Sequence, residues 1–186
     1  MTGKRRLTPE DWADAALAAL AEGGLAAIAV EPIAAKLGAT KGSFYWHFAN
    51  RDALVQAALR RWAELHTETI IAGLAEVADP ARRLHELFGV VFGREFSNRA
   101  EFALLAHADE PMIAPVLAEV TARRVDFLVE CFLELGHSDA GARHRAVLAY
   151  TAYIGLLQAQ RASGGALLPA ADQVDYRSFL RGILMS

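Results

Sequence analysis

The stretch Leu37-Gly38-Ala39-Thr40-Lys41-Gly42-Ser43-Phe44-Tyr45-Trp46-His47-Phe48 places four aromatic residues and a histidine in five consecutive positions, behind a lysine, a glycine and a serine. A core helix spaces its large apolar residues three or four apart, and a half-buried strand alternates them with polar ones. This stretch does neither, so its neighbours must serve different faces. Just upstream, Pro32-Ile33-Ala34-Ala35-Lys36-Leu37 reads as a short helix, because Pro32 is tolerated only in a first turn, and Gly38 stops it. Gly38 also supplies the left-handed backbone that a tight turn needs. Thr40 then caps a second short helix. Two short helices joined by such a turn form a helix-turn-helix, whose second helix enters the DNA major groove by its N-terminal residues.

That arrangement gives each residue a place. Lys41, Gly42 and Ser43 fall in the first turn, where free backbone N–H groups and the helix dipole favour phosphate. Gly42 has no side chain to hold the backbone away from DNA. Phe44 and Phe48 are four apart and share a face, expected to pack on the preceding and following helices through Leu17, Leu37 and Leu54. Tyr45 and His47 carry hydrogen-bonding tips suited to phosphate oxygens. Trp46 falls on the remaining face, with sugar or a thymine methyl in reach, and is the one residue of the five that periodicity leaves open.

Outward from this centre the pattern stays helical. Thr8-Pro9-Glu10-Asp11 opens a first helix, with a capping side chain, proline at the first position and acids at the positive end of the dipole. It runs through Trp12, Leu17 and Leu20 to Gly23-Gly24. Asn50 caps a fourth helix over residues 51–78. Later apolar periodicities predict helices through Leu84 to Phe96, Phe102 to Ala108, Ile113 to Leu135, Asp139 to Ala162 and Tyr176 to Met185. The chain thus reads as all-α with about nine helices. An N-terminal three-helix DNA-binding domain would occupy residues 1–50, and a helical effector-binding and dimerisation domain 51–186, with residues 51–78 as connector.

Composition supports this reading. Hydrophobic residues make up 54% of the 186, and alanine, the residue least costly to hold in a helix, is prominent among them. No apolar run reaches the roughly 18 to 20 residues that span a bilayer, and the N-terminus does not have the form of a signal peptide, so a cytoplasmic protein without membrane attachment is expected. The single cysteine, Cys131, excludes an internal disulfide; set in an apolar run, it reads as a small buried hydrophobe rather than a redox sensor. The net charge of −3 runs against a nucleic-acid binder until it is divided. Residues 1–61 carry 8 basic and 6 acidic residues, whereas the remainder carries 11 and 16. The excess of cations lies with the helix-turn-helix, and Arg5 and Arg6 either reach a minor groove or form a basic tail.

Ile33-Ala34, Leu37-Gly38, Gly42-Ser43-Phe44-Tyr45-Trp46-His47-Phe48 and Asn50-Arg51-Asp52-Ala53-Leu54 together are similar to the DNA-binding signature of the TetR family of bacterial one-component regulators, over roughly residues 8–60. The resemblance implies that Thr40, Lys41, Ser43 and Trp46 face bases or flanking backbone, that Tyr45 and His47 clamp phosphates, and that Arg51 touches phosphate from the start of the fourth helix. Arg51 stands where the family more often has lysine, and Ala29 where it usually has a capping serine or threonine. The implied protein is a homodimer on a palindromic double-stranded operator, most simply a repressor released by a small-molecule effector.

The C-terminal region is less explicit. Polar residues interrupting apolar faces, with neighbouring aromatics, make Trp62, His66, Phe88, Phe92, Phe102, His107, Arg123, Phe127, Tyr150 and Gln158 the candidate ligand-binding set; a packed core with satisfied polar groups has the same pattern. The dimer-interface candidates, in a four-helix packing as in the family, are Ala149, Tyr153, Leu156, Leu157, Phe179, Leu180 and Ile183. No cofactor or metal site is expected. The order of Gly38-Ala-Thr-Lys-Gly-Ser is wrong for a phosphate loop, no Gly-x-Ser-x-Gly elbow occurs, and the six histidines lack metal-ligand spacing. The rival reading is a helical small-molecule carrier or enzyme that works without DNA.

Overall fold

The structure, a computed structural model, describes residues 6–93 and 99–185, apart from the side chain of Phe92. Arg5 and Phe96 therefore lie outside the described residues. Every regular element described is helical: α1 Pro9–Gly23, α2 Val30–Lys36, α3 Lys41–Tyr45, α4 Arg51–Ala63, α5 Thr69–Ala75, α6 Pro80–Gly93, α7 Arg99–Leu105, α8 Ala114–Glu134, α9 Asp139–Ala162 and α10 Gln173–Met185. A π turn over Glu64–Glu68 joins α4 to α5 without a break, so the described residues form nine rods.

The start signals act as the sequence implies. Thr8 Oγ1 accepts from the Asp11 N–H at 3.3 Å while the Thr8 N–H donates to Asp11 Oδ2 at 2.7 Å, a reciprocal capping box. Asn50 Oδ1 caps α4 through Ala53 N at 2.9 Å, and Ser138 Oγ caps α9 through Gly141 N at 3.2 Å. Ala29 makes no side-chain cap for α2. That helix begins at Val30, earlier than Pro32 suggested, because a proline in the first turn removes only an N–H that has no intrahelical acceptor.

The π turn is where the long fourth helix departs from expectation. Buried positions recur at Leu54, Ala58 and Trp62, then at Thr67, Ile71 and Leu74. The step of five between Trp62 and Thr67 matches the extra residue that a π turn inserts. Arg124 donates from Nε to Thr67 Oγ1 at 2.9 Å, satisfying a hydroxyl that is almost fully buried.

Two compact units share the chain. The first holds residues 1–66 with 98–119, the second 67–97 with 120–186. In this division α4, α7 and the segment after α7 group with the helix-turn-helix, α1 packing on both α4 and α7. Trp12, Leu20, Ile28, Ile33, Phe44, Leu54, Leu59, Trp62, Leu104 and Ile113 are fully buried in this unit, each contributing about 1.5–3 kcal/mol on removal from water.

The core of the second unit is built from Leu84, Phe88, Val125, Phe127, Leu128, Cys131, Phe132, Leu156 and Leu184, with Ala142, Ala146 and Ala149 presenting small side chains from α9. Burial pushes the Cys131 thiol above its usual range, against the pull of the nearby Arg83 guanidinium. The buried amide of α9 is Gln160, whereas the expected Gln158 is exposed. Gln160 Nε2 donates to Leu168 O at 2.6 Å and its Oε1 accepts from Leu168 N at 2.9 Å, so one side chain pins the loop after α9 to the core. Gln160→Ala is expected to destabilise the protein by about 1–3 kcal/mol by leaving both backbone groups unpaired, read as a lower urea midpoint at unchanged slope.

Candidate nucleic-acid interface

The turn between α2 and α3 is a Schellman closure. Gly38, at φ 60°, donates to Ala35 O at 3.1 Å, and Ala39 N donates to Ala34 O at 2.8 Å. A side chain at Gly38 would meet the left-handed penalty that this closure demands. Thr40 then turns the chain into α3, its Oγ1 accepting from Ser43 N at 3.2 Å.

Helix α3 ends at Tyr45, sooner than the apolar run suggested, with Trp46 at its C-cap. The helical spacing persists for one more bond, since Phe48 N donates to Phe44 O at 3.0 Å. Phe44 is fully buried, edge-on to Trp12 at 5.5 Å and stacked on Phe48 at 5.6 Å. Leu17 and Leu54 are buried in the same unit as expected, but Leu37 is not among the buried residues. Trp12, read from the sequence as one member of the α1 face, supplies the ring against which Phe44 packs.

The opposite side is open. Trp46 is 83% exposed and Tyr45 56%; Thr40, Lys41 and Gly42 are exposed, and Ser43 and His47 half-buried. A Cβ at Gly42 would lie 3.7 Å from Thr40 Oγ1, an ordinary contact, so the unit's own packing does not require glycine there. Thr40, Lys41, Gly42, Ser43, Tyr45, Trp46 and His47 thus come from one continuous segment whose aromatic neighbours divide between core and solvent.

Lys36, Lys41 and Arg51 are engaged within the protein. Lys41 Nζ donates to Glu31 Oε1 at 2.8 Å, and Lys36 Nζ to Glu22 Oε2 at 2.8 Å. The bond from Lys41 holds the Glu31 carboxyl below the usual carboxylate range, and the same bond raises the Lys41 ammonium. Arg51 is engaged with the backbone. Its Nε donates to Ile28 O at 2.7 Å and its Nη2 to Leu25 O at 2.6 Å, while Nη1 lies 3.8 Å from Asp52 Oδ1. Two of its three nitrogens hold the short 3₁₀ turn Leu25–Ala27 and the residue after it, binding the start of α4 to the segment ahead of α2. Arginine, unlike lysine, can bridge two carbonyls with one planar group.

The ten candidate ligand residues are divided between the units. Trp62, His66, Phe102 and His107 lie in the first; Trp62 is fully buried in its core, and His107 Nδ1 bonds Ala103 O at 2.7 Å. Phe88, Arg123, Phe127, Tyr150 and Gln158 lie in the second, and the side chain of Phe92 is outside the described residues. Phe88 and Phe127 are core residues, Arg123 Nε donates to Glu68 Oε2 at 3.4 Å, and Tyr150 shares a hydroxyl bond of 2.9 Å with Thr121. An open groove in the second unit, lined by Asp79, Arg82, His85, Ser178, Arg181 and Met185 among others, includes none of the ten. Of the interface candidates, Ala149, Leu156 and Leu157 are buried, and Tyr153 and Leu180 are half-buried. Phe179, at 62%, and Ile183, at 45%, are exposed, along with Val147 and Leu148, which were not among the interface candidates. Among the described residues no helix is long and apolar enough to cross a membrane, and no group of three or more His, Cys, Asp or Glu is placed to hold a metal.

Residues 13–58 match the sequence profile of bacterial regulatory proteins of the tetR family. The match spans most of α1, the helix-turn-helix and the first turns of α4. The chain is also 29% identical to the HTH-type transcriptional regulator TtgR of Pseudomonas putida over 154 residues, 81% of this chain and 70% of that protein. Residues 13–58 are thus a DNA-binding domain of the tetR type. Solved structures share the fold over nearly the full length. A transcriptional regulator from Rhodococcus sp. Rha1 superposes with a TM-score of 0.71 at 24% identity, covering 96% of this chain and 94% of that one. The multidrug binding protein EbrR, complexed with malachite green, gives 0.68 at 22%, covering 95% of each. TetR-family proteins are DNA-binding regulators rather than enzymes, which favours the first of the two readings drawn from the sequence.

Within this TetR-type domain the Arg51 brace is open to direct test. Arg51→Ala is expected to lower stability by about 1 kcal/mol, a figure reduced from that for buried charged hydrogen bonds because the side chain is 45% exposed. Arg51→Lys, which keeps the charge but cannot bridge both carbonyls, should lose nearly as much in thermal unfolding; a lysine variant as stable as the parent would show that the bridge contributes nothing.

Proposed function

We propose that the chain is a homodimeric repressor whose two α3 helices dock in major grooves of a two-fold operator, and that a small organic molecule releases it. The observation that carries this reading is the split of α3: Phe44 is fully buried while Lys41, Tyr45 and Trp46 stand exposed on the same five-residue helix and its cap. A helix that short reads only a few base pairs, so useful affinity needs a second copy at a fixed spacing. Thr40, Lys41, Gly42, Ser43 and Trp46 are assigned to bases and adjacent backbone, and Tyr45 and His47 to phosphates. Arg51 is assigned chiefly to bracing.

Dimerisation is assigned to α9 and α10. Phe179 and Ile183 are four apart on α10, and both are exposed, as are Val147 and Leu148 on α9. An apolar stripe of this kind is costly in water and supports burial against a second copy. Tyr153 and Leu180, half-buried, belong to the margin of that stripe. The effector is assigned to the second unit, where Tyr150 packs with the core that contains Phe88 and Phe127; the dye bound to EbrR supports an aromatic or otherwise largely apolar ligand. Release follows if the effector favours the conformer with the poorer groove spacing. Coupling of about 1–3 kcal/mol changes operator affinity roughly 5- to 150-fold.

A gel shift on the DNA upstream of the protein's own coding sequence, at defined salt, tests the DNA reading. Lys41→Ala should reduce the salt slope by about one, and Tyr45→Phe should weaken binding about fivefold, with the dimer intact; unchanged binding by both overturns the assignment. In sedimentation, Phe179→Glu should convert dimer to monomer and lower DNA affinity with it. A dimer unaffected by that change places the interface elsewhere.

A further inference from the structure

The anion that faces the recognition helix belongs to the protein itself. Glu31, in the first turn of α2, lies across the Schellman turn from Lys41, the first residue of α3, and the two are joined at 2.8 Å with both side chains largely exposed, 57% for Lys41 and 73% for Glu31. An exposed pair of this kind does little for stability, because water screens it and two long side chains lose freedom to form it. Its position gives it another consequence. The ammonium of Lys41 is the charged group at the entrance of α3, and a carboxylate occupies it with the same oxygen chemistry that a phosphate offers.

We propose that Glu31 sets the DNA affinity of this protein by competing intramolecularly with the DNA for Lys41. This rests on the reading of Lys41 as a DNA contact. In the free protein Lys41 is bonded to Glu31, so contact with a phosphate or a base acceptor must first break that bond. Once it is broken, Glu31 remains as an unpaired carboxylate at a surface facing a polyanion. Both effects oppose binding, and both reduce the positive charge that DNA meets at this point. Fewer counterions are therefore released than a lone lysine would displace. Lys36 is itself paired with Glu22, whereas Arg51, bonded mainly to neutral carbonyls, keeps its charge but has two of its nitrogens committed. The modest positive excess of the N-terminal segment is thus reduced locally where a duplex would approach.

The test is a double-mutant cycle. A labelled duplex enriched by the parent protein from a random-sequence pool serves as probe, with an arbitrary duplex of equal length beside it, and dissociation constants are measured over a range of salt. Glu31→Gln keeps the size and helix position of the side chain, and its thermal unfolding is measured alongside. The expected result is about three- to tenfold tighter binding to both duplexes, a salt slope steeper by about one, and a clearly smaller gain in the Lys41→Ala background, where only the repulsion by Glu31 is left to remove. If Lys41→Ala weakens binding but Glu31→Gln leaves both affinity and slope unchanged, the competition is absent and the DNA reading of Lys41 stands. If Glu31→Gln tightens binding equally with and without Lys41, the effect is general repulsion and the competition is overturned. If Lys41→Ala changes nothing, the DNA reading of Lys41 falls, and the inference falls with it.

Discussion

A helix of five residues cannot hold itself together in water, where isolated helices need about 12–15 residues to become even marginal. Helix α3, which runs from Lys41 to Tyr45, is such a helix, and its geometry depends on the burial of Phe44. That ring meets Trp12 edge-on and Phe48 in a stack, both inside the distance range that favours aromatic pairs. Trp12 Nε1 is buried with no hydrogen-bond acceptor, a cost of about 1–3 kcal/mol that the fully buried aromatic pair offsets. The Thr40 cap and the Schellman closure at Gly38 then set direction and register. Because Phe44 is anchored, the residues on either side of it are presented outward.

Electrostatics around that anchor are arranged by pairing rather than by accumulation. Lys36, Lys41 and Arg61 each meet a carboxylate, and Arg51 meets two carbonyls. Arg61 binds both Asp14 and Glu64, tying α1 to the end of α4, and these bonds raise its guanidinium pKa further. A count of charges along the chain shows a basic end; the side-chain geometry shows how much of that charge is already engaged at the helix-turn-helix.

The second unit follows a different logic. Its polar groups on apolar faces mostly satisfy one another or the backbone: Gln160 with Leu168, Tyr150 with Thr121, Arg124 with Thr67, Arg145 with Leu184 O. Side chains that complete a core and side chains that line a pocket have the same periodicity, because both point inward from a helix. Exposure on α9 and α10 is more informative, since water gives Phe179 and Ile183 no reason to stay uncovered.

The legible parts of this protein are local. Caps at Thr8, Thr40 and Asn50 and the stop at Gly38 act within a few residues, and the helix-turn-helix signature around Phe44 to Phe48 is contiguous, so helix order and the helix-turn-helix segment were determined by sequence alone. Three features were not. The π turn at Glu64–Glu68 arises because Trp62 and Thr67 are both buried at a spacing that a plain α-helix does not provide. The role of Arg51 as a brace depends on carbonyls 23 and 26 residues earlier in the chain. Trp46, which periodicity could not assign, lies at the end of α3 and is 83% exposed because the helix stops one residue before it. Sequence determined what short-range hydrogen bonding and side-chain periodicity specify; tertiary structure decided which face is covered and which partner each long, charged side chain finds, because those choices depend on groups that only folding brings together.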